Sequence, residues 1–153
     1  MNVIVDLLEA VKGVKESLKS HSWTKECLNE NEAIVCDMNS KIQLYEQGVN
    51  ALGVSISDYM PYRPKTIEIK EIKGQPTNRV TLRDEGDFHA SFFLNLGAES
   101  FVIDAKDEKR DGLVRKYGRQ IFGLTDENRA ELIWEYLFPH IMSNMKKSLN
   151  IDE

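Results

Sequence analysis

The chain has 153 residues, 41% hydrophobic and 29% charged, with a formal net charge of −5 and a pI near 5.3. That length suits one domain with its own core, and the composition excludes general disorder. The acidic balance excludes a role driven by phosphate neutralisation unless a local patch carries it, and the small clusters Lys109-Arg110, Arg115-Lys116 and Lys146-Lys147 read as solvated faces.

The first element is the clearest. Val3, Ile4, Leu7, Leu8, Val11, Val14 and Leu18 recur at three-and-four spacing and predict an amphipathic helix over Val3 to Leu18. Asp6 and Glu9 interrupt any signal-peptide core, and no apolar run reaches the about 18 residues of a membrane span, so the protein is expected in the cytoplasm or in something assembled there. Ser22 or Thr24 can cap a second helical region, whose apolar positions run from Ala33 to Tyr45 and which ends at Gly48 or Gly53. Cys27 and Cys36 have no metal-ligand neighbours and are expected reduced and packed.

Pro61 and Pro64 then break the helical pattern. In TIEIKEIKG, Ile67 and Ile69 alternate with Glu68 and Lys70, which predicts a strand with one wet face, turned at Gly74 and Pro76. Val80 and Leu82 flank Thr81 as a second short strand. Phe92 to Leu96 and Phe101 to Ile103, around Gly97, predict a hairpin. A short helix from Lys109 to Tyr117 stops at Gly118, and Gly123 breaks the chain again. Thr125 is the N-cap of a final helix to about Leu149, with Asp126 and Glu127 at its positive end and Pro139 expected to kink it.

Together these elements predict an α+β fold: a small antiparallel sheet of about four strands packed against an N-terminal helical region and a long C-terminal helix kinked near Pro139. One domain covers 1–153, helical over 1–54, strand-rich over 55–105 and helical over 106–153.

Three histidines, His21, His89 and His140, stand in unrelated segments without metal spacing. The acidic run Asp84, Glu85, Asp87 with His89 is the most suggestive cluster for a divalent cation, but carboxylates are common in a glycine-containing turn because they bond their own backbone. Asp104, Asp107 and Asp111 are likewise explained as loop and helix-start residues. No phosphate loop, nucleophile elbow or zinc-spaced cysteine pair occurs, so neither catalysis nor a cofactor is expected. The aromatic residues read as core rather than as a stacking platform, except that Trp134 and Tyr136 lie on opposite sides of the last helix, leaving one available to a neighbouring subunit.

Between Tyr59 and Asn128 the motifs YMPYRPKT, KGQPTNRVTLRDEGDFHASF, DEKRDGLVRKYG and IFGLTDEN follow one another. In this order they resemble the neck and tail-completion (head-tail joining) proteins of tailed bacteriophages, including ring-forming tail proteins of Bacteroides and crAss-like phages. The family pattern Asp-x-Gly-x-aromatic-or-Leu-x-x-Ser falls on Asp84, Gly86, Phe88 and Ser91, with Glu85 where the family usually has threonine. The resemblance also picks out Pro61, Tyr62, Gly74, Gln75, Pro76, Thr77, Arg79, Phe92, Tyr117, Gly118 and Gly123. It implies a virion part: a sixfold or twelvefold homo-oligomeric ring between portal and tail, touching adjacent portal, neck or tail proteins, with DNA passing through and no membrane. The motif itself reads as a folding signature, in which Asp84 caps a turn, Gly86 reverses the chain and Phe88 and Phe92 enter the core.

Two rival functions are kept: a small metal-dependent hydrolase or nuclease built on Asp84, Glu85, Asp87 and His89, and a monomeric regulatory protein that binds a partner through the Trp134 face.

Overall fold

The computed structural model describes residues 2–151. Helix α1 (Val3–Ser20) ends at His21, whose left-handed backbone (φ 58°) turns the chain directly into α2 (Ser22–Glu30). After Asn31 comes α3 (Glu32–Asp37), which runs without a break into a π-helical segment, Met38–Gln47. Gly48 stops this run with φ +66°, and a Cβ there would lie 2.8 Å from the Cβ of Arg79. Gly48→Ala is therefore expected to lower stability by about 2–3 kcal/mol, read as a lower urea midpoint at unchanged slope.

Two short helices follow, α4 (Ile56–Tyr59) and α5 (Pro64–Ile72), and the second corrects the strand expected at Ile67 and Ile69. Pro64 sits in the first turn, where its missing N–H costs nothing and its fixed φ favours a helix. The isoleucine alternation does not decide the matter, because Ile69 and Ile72 face solvent while Lys70 is the buried residue of α5. The Lys70 ammonium donates to Gln75 Oε1 (3.0 Å) and to the Arg83 carbonyl (2.8 Å), and it lies 5.0 Å from the Tyr62 ring centre.

The second expected strand is also absent. Val80, Thr81 and Leu82 are buried but form no strand, because side chains take the backbone bonds a neighbouring strand would. The Val80 N–H donates to Ser57 Oγ, the Thr81 N–H to the Tyr62 hydroxyl and the Arg83 N–H to Thr81 Oγ1. Leu82 has φ 53°, a conformation that ends any strand.

A single turn, α6 (Asp87–Ala90), leads into the hairpin of β1 (Phe92–Leu96) and β2 (Phe101–Ala105), paired antiparallel with Leu94 opposite Ile103. The fold therefore mixes helix and sheet, is 62% helical, and among the described residues has two strands rather than about four. The stretch 55–105 is accordingly not strand-rich, since α4, α5 and α6 occupy much of it.

Helix α7 (Arg110–Tyr117) ends at Gly118 (φ 88°), and a 3₁₀ turn, Arg119–Ile121, follows. The C-terminal run comprises α8 (Asp126–Glu131), a π-helical segment Leu132–Leu137, and α9 (Phe138–Ser148). The Thr125 hydroxyl accepts from the Asn128 N–H as the expected N-cap. Pro139 falls in the first turn of α9, directly after the π-helical turns, so the change of helix type coincides with the proline while the helical run continues. One core joins Leu28, Val35, Met38 and Leu44 with Ile56, Val80, Phe88, Ile103, Ile121 and Leu132.

At the centre of the molecule, two amides one turn apart grip the loop ahead of α8. Asn39 donates to the Ile121 carbonyl (3.0 Å) and accepts from the Gly123 N–H (2.9 Å). Gln43 donates to the Gly123 carbonyl (2.8 Å) and accepts from the Thr125 N–H (2.9 Å) and from Asn128 Nδ2 (2.8 Å). Both amides are fully buried, so every one of these bonds replaces water that cannot enter. Neither residue carries a local sequence signal for this contact, whose partners lie some eighty positions away.

Candidate interaction surface

The residues singled out by the sequence motifs are mostly occupied in holding the fold. Tyr62 receives Thr81, as described, and Gln75 Nε2 donates to the Asp84 carbonyl (2.6 Å). Arg79 Nε donates to the Tyr45 carbonyl (2.8 Å). Gly86 has φ +101° and turns the chain into α6, where Phe88 is buried and meets Phe92 edge-on at 5.1 Å between ring centres. Ser91 accepts the Asp107 N–H through its hydroxyl and the Lys106 N–H through its carbonyl, tying α6 to the end of β2. Tyr117 is buried, and its carbonyl accepts from the Tyr59 hydroxyl. Gly74, Gly118 and Gly123 all have positive φ, while Pro76 and Thr77 are half-buried and Pro61 is exposed between α4 and α5. Asp84 does not cap a turn with its carboxylate, which instead pairs with Lys73; that ammonium holds the carboxyl below its ordinary value.

The candidate metal ligands do not converge. Asp84 and Glu85 both turn to Lys73, and the His89 ring packs against Phe88 and Phe92. Burial pushes His89 down to about 4, its ring N–H bonded to the Thr81 backbone, with Arg83 and Lys70 adding unfavourable positive charge. Its Nε2 is buried and, among the described residues, has no hydrogen-bond partner. Among the described residues no three His, Cys, Asp or Glu side chains are placed to hold a metal ion. Asp104 and Arg110 form a two-pronged pair (2.8 and 2.9 Å), Asp111 joins the same guanidinium, and Asp107 Oδ1 accepts the Lys109 N–H, so these acids are structural. Burial raises the Cys27 and Cys36 thiols, the latter to about 11, and both remain free.

What the fold leaves unsatisfied lies on the outside. The apolar stripe of α1 does not face the core. At about 100° per residue, Leu7, Leu18, Val11, Ile4 and Leu8 span one continuous arc, and Val14 and Ala10 lie at its edge. Only that edge packs inward, against α2 and α9: Val14 is buried, while the five at the centre of the arc are between 43% and 71% exposed. Val3 and Val5 widen the patch. Lys12, Lys15 and Lys19 border its second half, and among the described residues Lys15 and Lys19 have no ion pair.

A second patch stands on the C-terminal run. Trp134 is 62% and Phe138 49% exposed, and their rings meet at 5.4 Å, forming an aromatic knob one helical turn long. Tyr136, by contrast, is half-buried against the core. Glu131 and Glu135 stand exposed around the knob, and neither has an ion pair among the described residues. The amide grip of Asn39 and Gln43 fixes the start of this run, so the core sets the position of the knob. Among the described residues no helix is long and apolar enough to cross a membrane. A scan against protein-family models, a search of curated proteins and a search of solved structures each return no match to this chain.

Proposed function

We propose that the protein is a non-enzymatic assembly subunit, a ring-forming neck or tail-completion component of a tailed-phage virion that works by fitting against copies of itself and against adjoining portal, neck or tail proteins. The observation that carries this reading is the pair of apolar patches left in water, one on α1 and one at Trp134 and Phe138. The α1 stripe leaves five large aliphatic side chains on one arc between 43% and 71% exposed, and a contiguous apolar face of this kind marks an interaction surface. Two unlike patches on one subunit are what a head-to-tail contact needs, and such a contact repeated by rotation closes a ring. The placement in the phage neck or tail comes from the motif resemblance between Tyr59 and Asn128, whose residues serve here as the scaffold that carries those patches.

The reading is tested by mass spectrometry of purified tailed-phage particles that encode this chain. A virion ring subunit is expected in multiple copies per particle. Particles lacking the polypeptide, from cells that make it in quantity, would rule out the virion role.

A further inference from the structure

We infer that the α1 stripe of one copy docks on the Trp134–Phe138 knob of the next copy. The inference rests on the self-assembly reading above and names its contact. Two observations favour this occupant over another α1.

The first is charge. The stripe is bordered in its second half by Lys12, Lys15 and Lys19, while the knob is framed by Glu131 and Glu135. An α1-to-α1 contact placing these halves together sets lysine against lysine, whereas α1 on the knob sets lysine against glutamate around an apolar centre. The second is composition. The knob supplies a Trp and a Phe whose tilted rings already meet each other, an aromatic anchor of the kind interfaces use, and the stripe supplies the branched aliphatic surface that receives one.

A head-to-tail contact has a signature that a two-fold contact lacks: damage to the two patches can be complemented in trans. The full-length chain is compared with Val11→Asp and Trp134→Asp by sedimentation velocity, each variant first checked for unchanged far-UV circular dichroism, which exposed positions should permit. Each variant alone is expected to self-associate at least about 30-fold more weakly than the unmodified chain. An equimolar mixture is expected to recover a dimer, because one copy still carries the stripe and the other the knob. Lys15→Glu mixed with Glu135→Lys should associate more tightly than either alone.

If Val11→Asp abolishes association while Trp134→Asp leaves it intact, the stripe pairs with some other part of a second copy; this contact is then wrong although self-assembly stands. A mixture of the two variants that stays monomeric overturns the contact in the same way. If the unmodified chain sediments as a monomer at every concentration, the self-assembly reading fails together with the contact.

Discussion

Replacing Asn39 by leucine is expected to cost about 3–4 kcal/mol of folding stability, the largest effect we anticipate from a single polar side chain in this protein. Leucine is close to asparagine in size, so the loss is not a cavity effect. It strands the Ile121 carbonyl and the Gly123 N–H, both now facing the Asn39 amide in a region with no exposed surface at that residue. A buried backbone group left without a partner carries its whole desolvation penalty. Gln43 holds the same loop through Gly123 and Thr125, so the two losses should not add: once either amide is gone the loop can relax and the second is worth less. Urea unfolding of the two single variants and the double variant measures both the cost and the coupling. A cost below about 1 kcal/mol for Asn39→Leu would mean that water replaces the amide and that the grip is incidental.

Acid is expected to weaken the protein through His89 before any carboxylate is involved. Burial holds this imidazole neutral, with its protonation moved down to about 4 from the ordinary value of 6.5. Above about pH 6.5 the ring is neutral in both the folded and unfolded chain and contributes nothing to the pH dependence. Below that, the unfolded chain takes up a proton that the folded one refuses, so stability falls between about pH 6.5 and 4 and then levels off, by at most about 3 kcal/mol. Asp84 and Asp104 have depressed values and add their own losses only lower, as pH falls below the ordinary carboxylate range. The two sources are therefore separable by urea titrations between pH 7 and 4.5. His89→Phe should flatten that interval whatever constant cost it adds, because phenylalanine can keep the packing against Phe88 and Phe92 but binds no proton. An unchanged slope in the variant would place the titrating group elsewhere.

The parts of the fold that could be read from the sequence are those governed by local rules. The α1 periodicity, the hairpin around Gly97, the stop at Gly118 and the Thr125 cap each depend on residues within a few positions of one another, and each is present. The misreadings at Ile67–Ile69 and at Val80–Leu82 have one cause. Both stretches alternate like strands, but among the described residues no neighbouring strand completes a ladder, and distant side chains decide instead: Lys70 is drawn inward by Gln75 and Arg83, and Tyr62 and Ser57 take the backbone of Thr81 and Val80. Asn39 and Gln43 were illegible for the same reason, since their partners lie some eighty positions away. A buried amide pair at helical spacing amid apolar residues was the one signal that could have pointed to them.

The candidate surface was half legible. The sequence leaves open which of Trp134 and Tyr136 faces outward; Trp134 is the exposed one and Tyr136 packs against the core. The spacing of the α1 stripe identifies a helix face but not what covers it, and the structure turns the centre of that face to solvent and buries only the edge at Val14. Periodicity reports that a face is apolar; whether its cover comes from the same chain or from another is not a local property.

Amide hydrogen exchange followed as a function of protein concentration tests the central claim most directly, because it reads α1 and the core in one sample. If the stripe is a contact between copies, the amides of Val3–Leu18 and of the segment around Trp134 should gain protection together as concentration rises, while the Asn39 and Gln43 region stays equally protected throughout. Exchange at both segments that is the same at every concentration, beside an unchanged core, would contradict the account.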